Sequence, residues 1–478
     1  MMTVDETTVK PGTVFELCEM ENSMVPYPVL QYSLVYSASG QEAQRNIDVV
    51  KILKDSFNRL TQLYPIVMGH KERIDNKNVI VVSREDLLGQ RVFVHQESDI
   101  SSEDFELVRC RRDLWPADVD RLLKERTADT SSLISAVVVC FKGGSGYLLS
   151  LSMSHIVADV SGMLILLEQW ASIARKMIAA RIADNGQYAE SEIMPDRAID
   201  FDHAKFWEKL SAHPKDDHPH VTYVERQDCS CDGDIGRLAK WAKEHYGSGA
   251  HNGDRTNLEL RVLHVSSQSI EKMRLEFNTD SSGKRPLHGI QIFYALFWQR
   301  YVAKCLQLRN ADIDHSQSVF LNIIHNVRGL TPALDYVGNA VSPVYVRTTV
   351  GELLENPVIE TANLIKSHIN SITPGATVQC AEAVNNPSNP FVPKLMYLQR
   401  HRESGLVISN ASRFPFFGLD FGIGKATGVH CGKLAVEGMS SWVPHSDGGV
   451  ELYFGAKDGI YTLLKDDPVF AEYVEFSN

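Results

Sequence analysis

Between residues 133 and 171, a strand, a tight turn, a second strand and a helix follow one another without a break. Residues 133–141 and 147–153 are apolar and rich in strand-forming side chains. The Gly-Gly-Ser-Gly sequence at 143–146 supplies the positive φ angles that a tight hairpin connection needs. Beyond Gly162 the apolar residues recur at helical spacing, as Met163, Leu166, Leu167 and Trp170. The segment therefore predicts an α/β fold with a fixed junction between its second strand and its helix.

His155 and Asp159 lie at this junction, in the pattern His-x-x-x-Asp. A strand-to-helix junction holds an imidazole rigidly, and an imidazole is the side chain best suited to move protons near neutral pH. An isolated His-x-x-x-Asp also occurs by chance, as a structural histidine beside a helix-capping aspartate. Asp159 could instead orient the imidazole as in a catalytic triad. The rest of the chain has to decide between these interpretations.

The same patterns predict further elements on both sides of this junction. Between residues 183 and 234 the pattern loosens into sequence that contains Asp, His, Pro and Gly, which indicates a crossover between two domains. The other predicted strands are 30–36, 78–82, 258–265, 318–324 and 450–454, and the other predicted helices are 47–63, 268–277 and 289–305.

Composition indicates a globular protein. The 478 residues are 44% hydrophobic and 23% charged, which suffices for two ordinary domains. The net charge of −12 comes without a basic block and argues against nucleic acid or an anionic membrane surface as partner. Apolar runs stay below the ~20 residues of a membrane helix, and the first ten residues are polar and acidic, unlike a secretory signal. We therefore expect a cytoplasmic location.

The 8 cysteines do not have the spacing of a disulfide framework. Cys229 and Cys231 would supply half of a metal site, but no Cys/His pair of matching spacing follows them. His213, His218 and His220 lie in a sequence interrupted by Pro and Asp that is typical of an exposed loop. No metal is expected.

Two longer motifs resemble those of one family. The segment from His155 and Asp159 through Gly162 to Trp170 resembles the active-site segment of the BAHD acyltransferases and of the fungal trichothecene O-acetyltransferases related to them. Asp420-Phe-Gly422-Ile423-Gly424 resembles the second motif of that family, Asp-Phe-Gly-Trp-Gly, with Ile423 in place of Trp. The indole of the family motif is therefore replaced at this position by an aliphatic side chain.

Four weaker matches follow the order of the family along the chain. Residues 53–69 resemble its N-terminal helix ending in Tyr-Pro, and residues 289–304 resemble the helix that opens its C-terminal domain. Residues 326–340 resemble an Arg-containing loop followed by a Tyr-Phe-Gly-Asn segment, and residues 447–455 resemble the C-terminal strand. Each match is weak alone, but six in order indicate this family.

The resemblance implies two similar chloramphenicol-acetyltransferase-like α/β domains, each a mixed sheet flanked by helices, with a channel at their interface. Residues 1–185 would form the N-terminal domain, 186–234 the crossover linker and 235–478 the C-terminal domain. Asp159 would point away from the channel and pair with Arg328, and Gly162, Asp420, Gly422 and Gly424 would support the site. Lys284 and Arg285 are the candidate basic pair for coenzyme A, although an ordinary solvated pair is equally consistent with their sequence.

The expected function is therefore acyl transfer. A neutral His155 would act as general base, taking the proton of an alcohol or amine as it attacks the thioester of an acyl-CoA. The resemblance implies a small-molecule acceptor, acetyl-CoA as the favoured donor, a monomer and no permanently bound cofactor. The alternative is a relative of the same fold that binds a small molecule without turnover, an interpretation that only Ile423 supports.

Overall fold

A computed structural model shows the arrangement of most of the chain. It describes residues 10–24, 29–38, 48–75, 77–88, 93–108, 116, 119, 121, 123, 133–183, 193–214, 223–225, 258–278, 286–309, 314–331, 333–385, 391–393, 405–432 and 437–476.

The strands, in chain order, are β1 (Thr13–Glu16), β2 (Val29–Ser37), β3 (His70–Ile74), β4 (Lys77–Val82), β5 (Phe93–Glu97), β6 (Ile134–Cys140), β7 (Gly146–Ser154), β8 (Tyr223–Glu225), β9 (Leu258–Val265), β10 (Ser318–Asn326), β11 (Val341–Thr349), β12 (Phe391–Pro393), β13 (Leu406–Asn410), β14 (Gly428–Cys431), β15 (Met439–Pro444), β16 (Val450–Lys457) and β17 (Glu475–Phe476).

The α-helices are α1 (Glu19–Met24), α2 (Val49–Leu63), α3 (Arg84–Leu88), α4 (Ser102–Val108), α5 (Val160–Ala183), α6 (His203–Ser211), α7 (Ser267–Phe277), α8 (Gly289–Arg309), α9 (Val350–Glu355), α10 (Val358–Asn370), α11 (Pro374–Asn385), α12 (Asp458–Lys465) and α13 (Pro468–Ala471). The strands and helices predicted from the sequence are thereby confirmed, with ends that differ by a few residues.

The predicted hairpin is the centre of a five-stranded mixed sheet of order β14-β2-β7-β6-β5. β6 and β7 pair antiparallel, and the turn between them contains Gly143 and Gly144 at φ +66° and +69°. β5 runs parallel to β6, while β2 and β14 pair antiparallel with their neighbours. The hairpin therefore places the end of β7 in the middle of the sheet, where neighbours on both sides fix it.

Helices α2 and α5 contribute to the first hydrophobic core together with this sheet. Phe57 of α2 and Trp170 of α5 are fully buried and in ring contact, with centroids 5.1 Å apart. The Trp170 indole donates to Ser56 Oγ at 2.9 Å and so satisfies its buried N–H. Because α5 is held along its length, its first turn has a fixed position behind the end of β7.

A second core surrounds α8, which contributes the buried Phe293, Phe297 and Trp298. The accompanying mixed sheet has seven strands in the order β11-β10-β13-β15-β16-β9-β17. β10, β13 and β15 run parallel, so their carboxyl ends share one edge of the sheet. The α/β class with mixed sheets and flanking helices, predicted from the resemblance, is confirmed.

The two cores are joined by chain from both halves of the sequence. β14 comes from the C-terminal half but pairs antiparallel with β2 in the five-stranded sheet. The region predicted as a linker contains α6, whose Phe206 and Leu210 are buried in the second core. The domain boundaries at 185 and 234 stay a prediction.

Candidate active site

His155 directly follows the last residue of β7, in a turn that leads to α5. Its neighbours Ile156, Val157 and Ala158 are buried, and Val157 N donates to Ser154 O at 3.0 Å. His155 itself is half-buried. The turn is therefore anchored in the first core while it holds the imidazole at the surface of that core.

Asn339 makes two hydrogen bonds with His155 and thereby fixes the imidazole. The Asn339 Nδ2 donates to the His155 carbonyl oxygen at 2.8 Å, and the Asn339 Oδ1 lies 3.0 Å from His155 Nδ1. Since the amide nitrogen is used for the carbonyl, the amide oxygen is the acceptor and Nδ1 carries the proton. The lone pair of the neutral ring is then on Nε2. This is the tautomer that a base acting through Nε2 requires.

Asp159 caps α5 and accepts hydrogen bonds at both carboxylate oxygens. Oδ1 accepts from Gly162 N at 2.9 Å, which satisfies a backbone donor of the first helical turn. Oδ2 accepts from Ala340 N at 2.9 Å and from Arg328 Nη1 at 2.8 Å. The contact expected between Asp159 and Arg328 is present, and the two side chains are only 4% and 3% exposed.

Arg328 also holds the segment that carries Asn339. Its Nε donates to Tyr336 O at 2.9 Å and its Nη2 to Gly338 O at 2.5 Å. Gly162 packs against the same segment so closely that a Cβ at this position would lie 1.7 Å from Val337 O. The helix after His155 and the segment bearing Asn339 are thus held together by an ion pair and a close backbone contact.

A buried carboxylate, Glu21 of α1, supports Asn339 from behind. Glu21 is fully buried, and its Oε1 accepts from Asn339 N at 2.8 Å and from the Tyr336 hydroxyl at 2.6 Å. His203 of α6 lies 3.4 Å from the same oxygen, and Cys18 donates to the other oxygen. Burial by itself would raise the pKa of Glu21, but the charge of His203 and these hydrogen bonds outweigh it and lower the pKa to about 2.

Glu21 was missed by the sequence reasoning, and Asn339 was noted only as part of the 326–340 match. Apart from Cys18, the partners of Glu21 lie far away in the chain, so no local spacing relates them to it. The only local sign of a buried carboxylate is that Glu21 follows the apolar residues Leu17 and Met20 and precedes β2. The contact with His155 likewise depends on tertiary structure.

The Asp420 motif packs behind α5. Phe421 is fully buried against Trp170, with ring centroids 5.0 Å apart, and Arg175 donates to the Asp420 carbonyl. The Asp420 carboxylate accepts from Gly422 N at 2.7 Å. Gly422 and Gly424 have φ of +85° and +92°, where a side chain would be strained. Ile423 is buried in the first core.

Several candidate residues fall elsewhere. Lys284 and Arg285, Cys229 and Cys231, and His218 and His220 lie outside the described residues. His213 is exposed, as its sequence predicted. The described cysteines are buried, and none of them forms a disulfide with another described residue; they are Cys18, Cys140, Cys305, Cys380 and Cys431. In the ranges given above, no helix has both the length and the apolar character needed to cross a membrane.

The sequence model of the Transferase family matches residues 5–455. Curated relatives include agmatine coumaroyltransferase-1 of Hordeum vulgare, 25% identical over 42% of this chain, and putrescine hydroxycinnamoyltransferase 3 of Oryza sativa subsp. japonica, 24% identical over 42%. The matched region spans less than half of each relative, 46%.

Solved structures share the fold over almost the whole chain. TRI101 of F. graminearum, complexed with coenzyme A and deoxynivalenol, has a TM-score of 0.70 at 15% identity. The alignment covers 98% of this chain and 100% of the TRI101 chain. Vinorine synthase has a TM-score of 0.63 at 13% identity, and the alignment covers 98% of this chain and 95% of the vinorine synthase chain. Because the family model matches nearly the entire sequence, the protein belongs to the Transferase family, that of the BAHD acyltransferases.

Proposed function

We propose that the protein transfers an acyl group, with acetyl favoured, from acyl-CoA to a hydroxyl or amine of a small specialised metabolite. His155 is the general base in this proposal. The observation that carries it is the double hydrogen bond with Asn339, because it assigns the lone pair of a neutral imidazole to Nε2.

The chemistry takes place in two steps. His155 Nε2 accepts the proton of the acceptor while its oxygen or nitrogen forms a bond to the thioester carbonyl carbon, whose oxygen becomes an oxyanion. The oxyanion then collapses, the carbon–sulfur bond breaks, and the leaving thiolate of coenzyme A takes the proton from the imidazolium. The base is thereby restored without a covalent enzyme intermediate.

The described cysteines support direct transfer. Burial raises the pKa of Cys140 and Cys380 to about 12 and that of Cys305 to about 11, and it raises the pKa of Cys18 well above its usual value. These thiols are therefore protonated at neutral pH, and a protonated thiol is a poor nucleophile.

The other predicted residues have supporting roles in this proposal. Asp159, Arg328 and Gly162 hold α5 against the segment with Asn339, and Asp420, Gly422 and Gly424 shape the loop that packs behind α5. Lys284 and Arg285 are proposed to bind the phosphates of coenzyme A, so alanine at both positions should raise the KM for acyl-CoA. We further propose that the protein is cytoplasmic and monomeric. Light scattering would test the oligomeric state.

The relatives bear on the acceptor only by their names. The two plant relatives are named for amines, agmatine and putrescine, whereas the TRI101 structure contains deoxynivalenol. The proposal therefore keeps both hydroxyl and amine acceptors, and the acceptor panel decides between them.

The test is acceptor-dependent release of free coenzyme A from acetyl-CoA, across a panel of alcohols and amines, with products identified by mass spectrometry. His155→Ala is the control for background hydrolysis. We expect at least one acceptor to accelerate release in the parent protein alone. The alternative would be favoured if calorimetry shows that coenzyme A binds but no acceptor accelerates its release from acetyl-CoA. Both proteins would then release coenzyme A at the same background rate, as expected of a relative that binds without turnover.

A further inference from the structure

Two histidines and an aspartate meet at the edge of the seven-stranded sheet, away from His155. His264 lies near the end of β9, and strand register places Glu451 of β16 opposite it on one side and Glu475 of β17 on the other. The cluster is four strands from β10, about 19 Å at ordinary strand spacing. It is therefore distinct from the candidate active site.

The turn between β15 and β16 brings the other two residues to His264. His445 N donates to Gly449 O at 3.0 Å, and Gly448 has φ +83°, which the tight turn requires. Within this turn, Asp447 Oδ1 lies 2.7 Å from His445 Nδ1, and Asp447 Oδ2 lies 3.2 Å from His264 Nε2. The two imidazole centroids are 4.2 Å apart.

The inner nitrogen of His264 makes no hydrogen bond with any described residue, although Asp447 Oδ2 lies 3.2 Å away. Its Nε2 is shielded from solvent, yet among the described residues no group meets it with hydrogen-bond geometry. The imidazole of His264 is 17% exposed and that of His445 is 21% exposed. A buried ring nitrogen beside a second imidazole and a carboxylate is the environment of a metal ligand.

Each histidine also has a carboxylate on its outer nitrogen. Glu475 Oε2 lies 3.2 Å from His264 Nδ1, and Glu451 Oε1 lies 3.7 Å from His445 Nε2. At His264, a carboxylate within hydrogen-bond distance of the outer nitrogen holds a proton there and directs the lone pair of the inner nitrogen toward a metal. At His445, the distance of 3.7 Å to Glu451 is too long for a hydrogen bond, so Glu451 contributes charge alone. The three carboxylates around the two imidazoles also supply negative charge that a divalent cation would balance.

We propose that His264, His445 and Asp447 bind a divalent transition metal, with Zn²⁺ as the ion that fits this donor set. Two imidazoles and one carboxylate are borderline and hard ligands that zinc accepts, and a water would complete a tetrahedral site. The ion would join β9, the β15–β16 turn and, through Glu475, β17. Its role would be structural, since binding to the folded state alone stabilises that state.

No metal was expected from the sequence, and these three ligands are too far apart in the chain to form a recognisable motif. His264 stands in one strand and the other two ligands in a distant turn, so no short motif relates them. The shared edge of the sheet is what brings them together.

A second cluster provides the matched control. His95, Glu97 and Cys140 also place one ligand atom each within reach of an ion. There, the same His95 Nε2 lies 3.2 Å from Glu97 and 3.3 Å from Cys140, and burial raises the pKa of the Cys140 thiol to about 12. That group thus offers a thiol that is protonated at neutral pH.

The experiment is calorimetric titration of Zn²⁺ into chelator-treated full-length protein, followed by thermal melts with and without the ion. We expect one ion per chain and a melting midpoint a few degrees higher with Zn²⁺. His264→Gln and His445→Gln should each weaken binding more than about tenfold, and Glu475→Gln about tenfold. His95→Gln should bind as the parent does.

Circular dichroism and acyl transfer should be unchanged in folded variants. If both histidine variants misfold, Glu475→Gln carries the test, because its side chain is 75% exposed and its removal leaves the strands intact. Absence of Zn²⁺ binding by the parent at 100-fold excess over the chain would overturn the proposal. Unchanged affinity in the folded variants, or loss of binding in His95→Gln, would overturn it as well.

Discussion

The buried pair of Asp159 and Arg328 leads to the most detailed prediction. Asp159→Ala removes a carboxylate that accepts from Arg328, from Ala340 N and from Gly162 N. Stranding the Arg328 charge, which is 3% exposed, costs about 3–5 kcal/mol, and loss of the helix cap costs about 1 kcal/mol. We expect a total near 4–6 kcal/mol, a large part of the ~5–15 kcal/mol of a typical domain.

The double variant shows whether the two residues act as one unit. Asp159→Ala with Arg328→Ala leaves neither charge unpaired, so its loss should be smaller than the sum of the single losses by about 2 kcal/mol. The assay is the unfolding midpoint of the four proteins, in heat and in denaturant, together with kcat. Asp335→Ala is the matched control, because it breaks the exposed ion pair with Arg197 and should cost less than about 1 kcal/mol.

A catalytic triad would give a different pattern. Asp159→Asn would keep the melting midpoint while kcat fell by orders of magnitude, and Arg328→Ala would leave kcat largely unchanged. That pattern, or losses of the single variants that simply add, would refute a structural bridge.

Three further predictions concern the site. Asn339→Ala should lower kcat about 10–100-fold, because the variant no longer fixes the tautomer and orientation of His155. The KM for acyl-CoA should change little, since the contacts with acyl-CoA remain. An unchanged kcat would contradict this role of Asn339. Glu21→Gln should destabilise the protein at pH 7, and since its pKa falls from an ordinary 4.5 to about 2 on folding, the stabilisation is complete above pH 4.5 and lost as the pH falls toward 2. Melting midpoints of parent and variant should therefore converge on acidification, and a constant difference would contradict this cause. Initial-rate plots with two substrates should intersect, since direct transfer requires both in the site, whereas parallel lines would indicate a covalent intermediate.

Local pattern predicted the part of the site that is local in sequence. The hairpin, the junction that carries His155 and the start of α5 follow from strand alternation, turn glycines and helical spacing. The contact of Asp159 with Arg328 needed the family resemblance, because nothing in the spacing of two distant residues specifies a pair.

Tertiary contacts account for what the sequence did not reveal. The sequence patterns did not predict β14, and nothing in them specifies its pairing with β2, in the other half of the chain. The helix α6 lies in a region rich in loop-forming residues, yet Asp202 caps it and Phe206 and Leu210 anchor it in the second core. Glu21 is buried as a charge because Asn339, Tyr336 and His203, which are distant in the sequence, lie around it together with Cys18.

The central claim is that His155 is the base, and kcat of the purified His155→Ala variant tests it most directly. Loss of general-base assistance should lower kcat by about 10²–10⁴-fold, while circular dichroism and coenzyme A affinity stay close to those of the parent. A variant that retains more than a few per cent of the parental kcat would contradict the assignment.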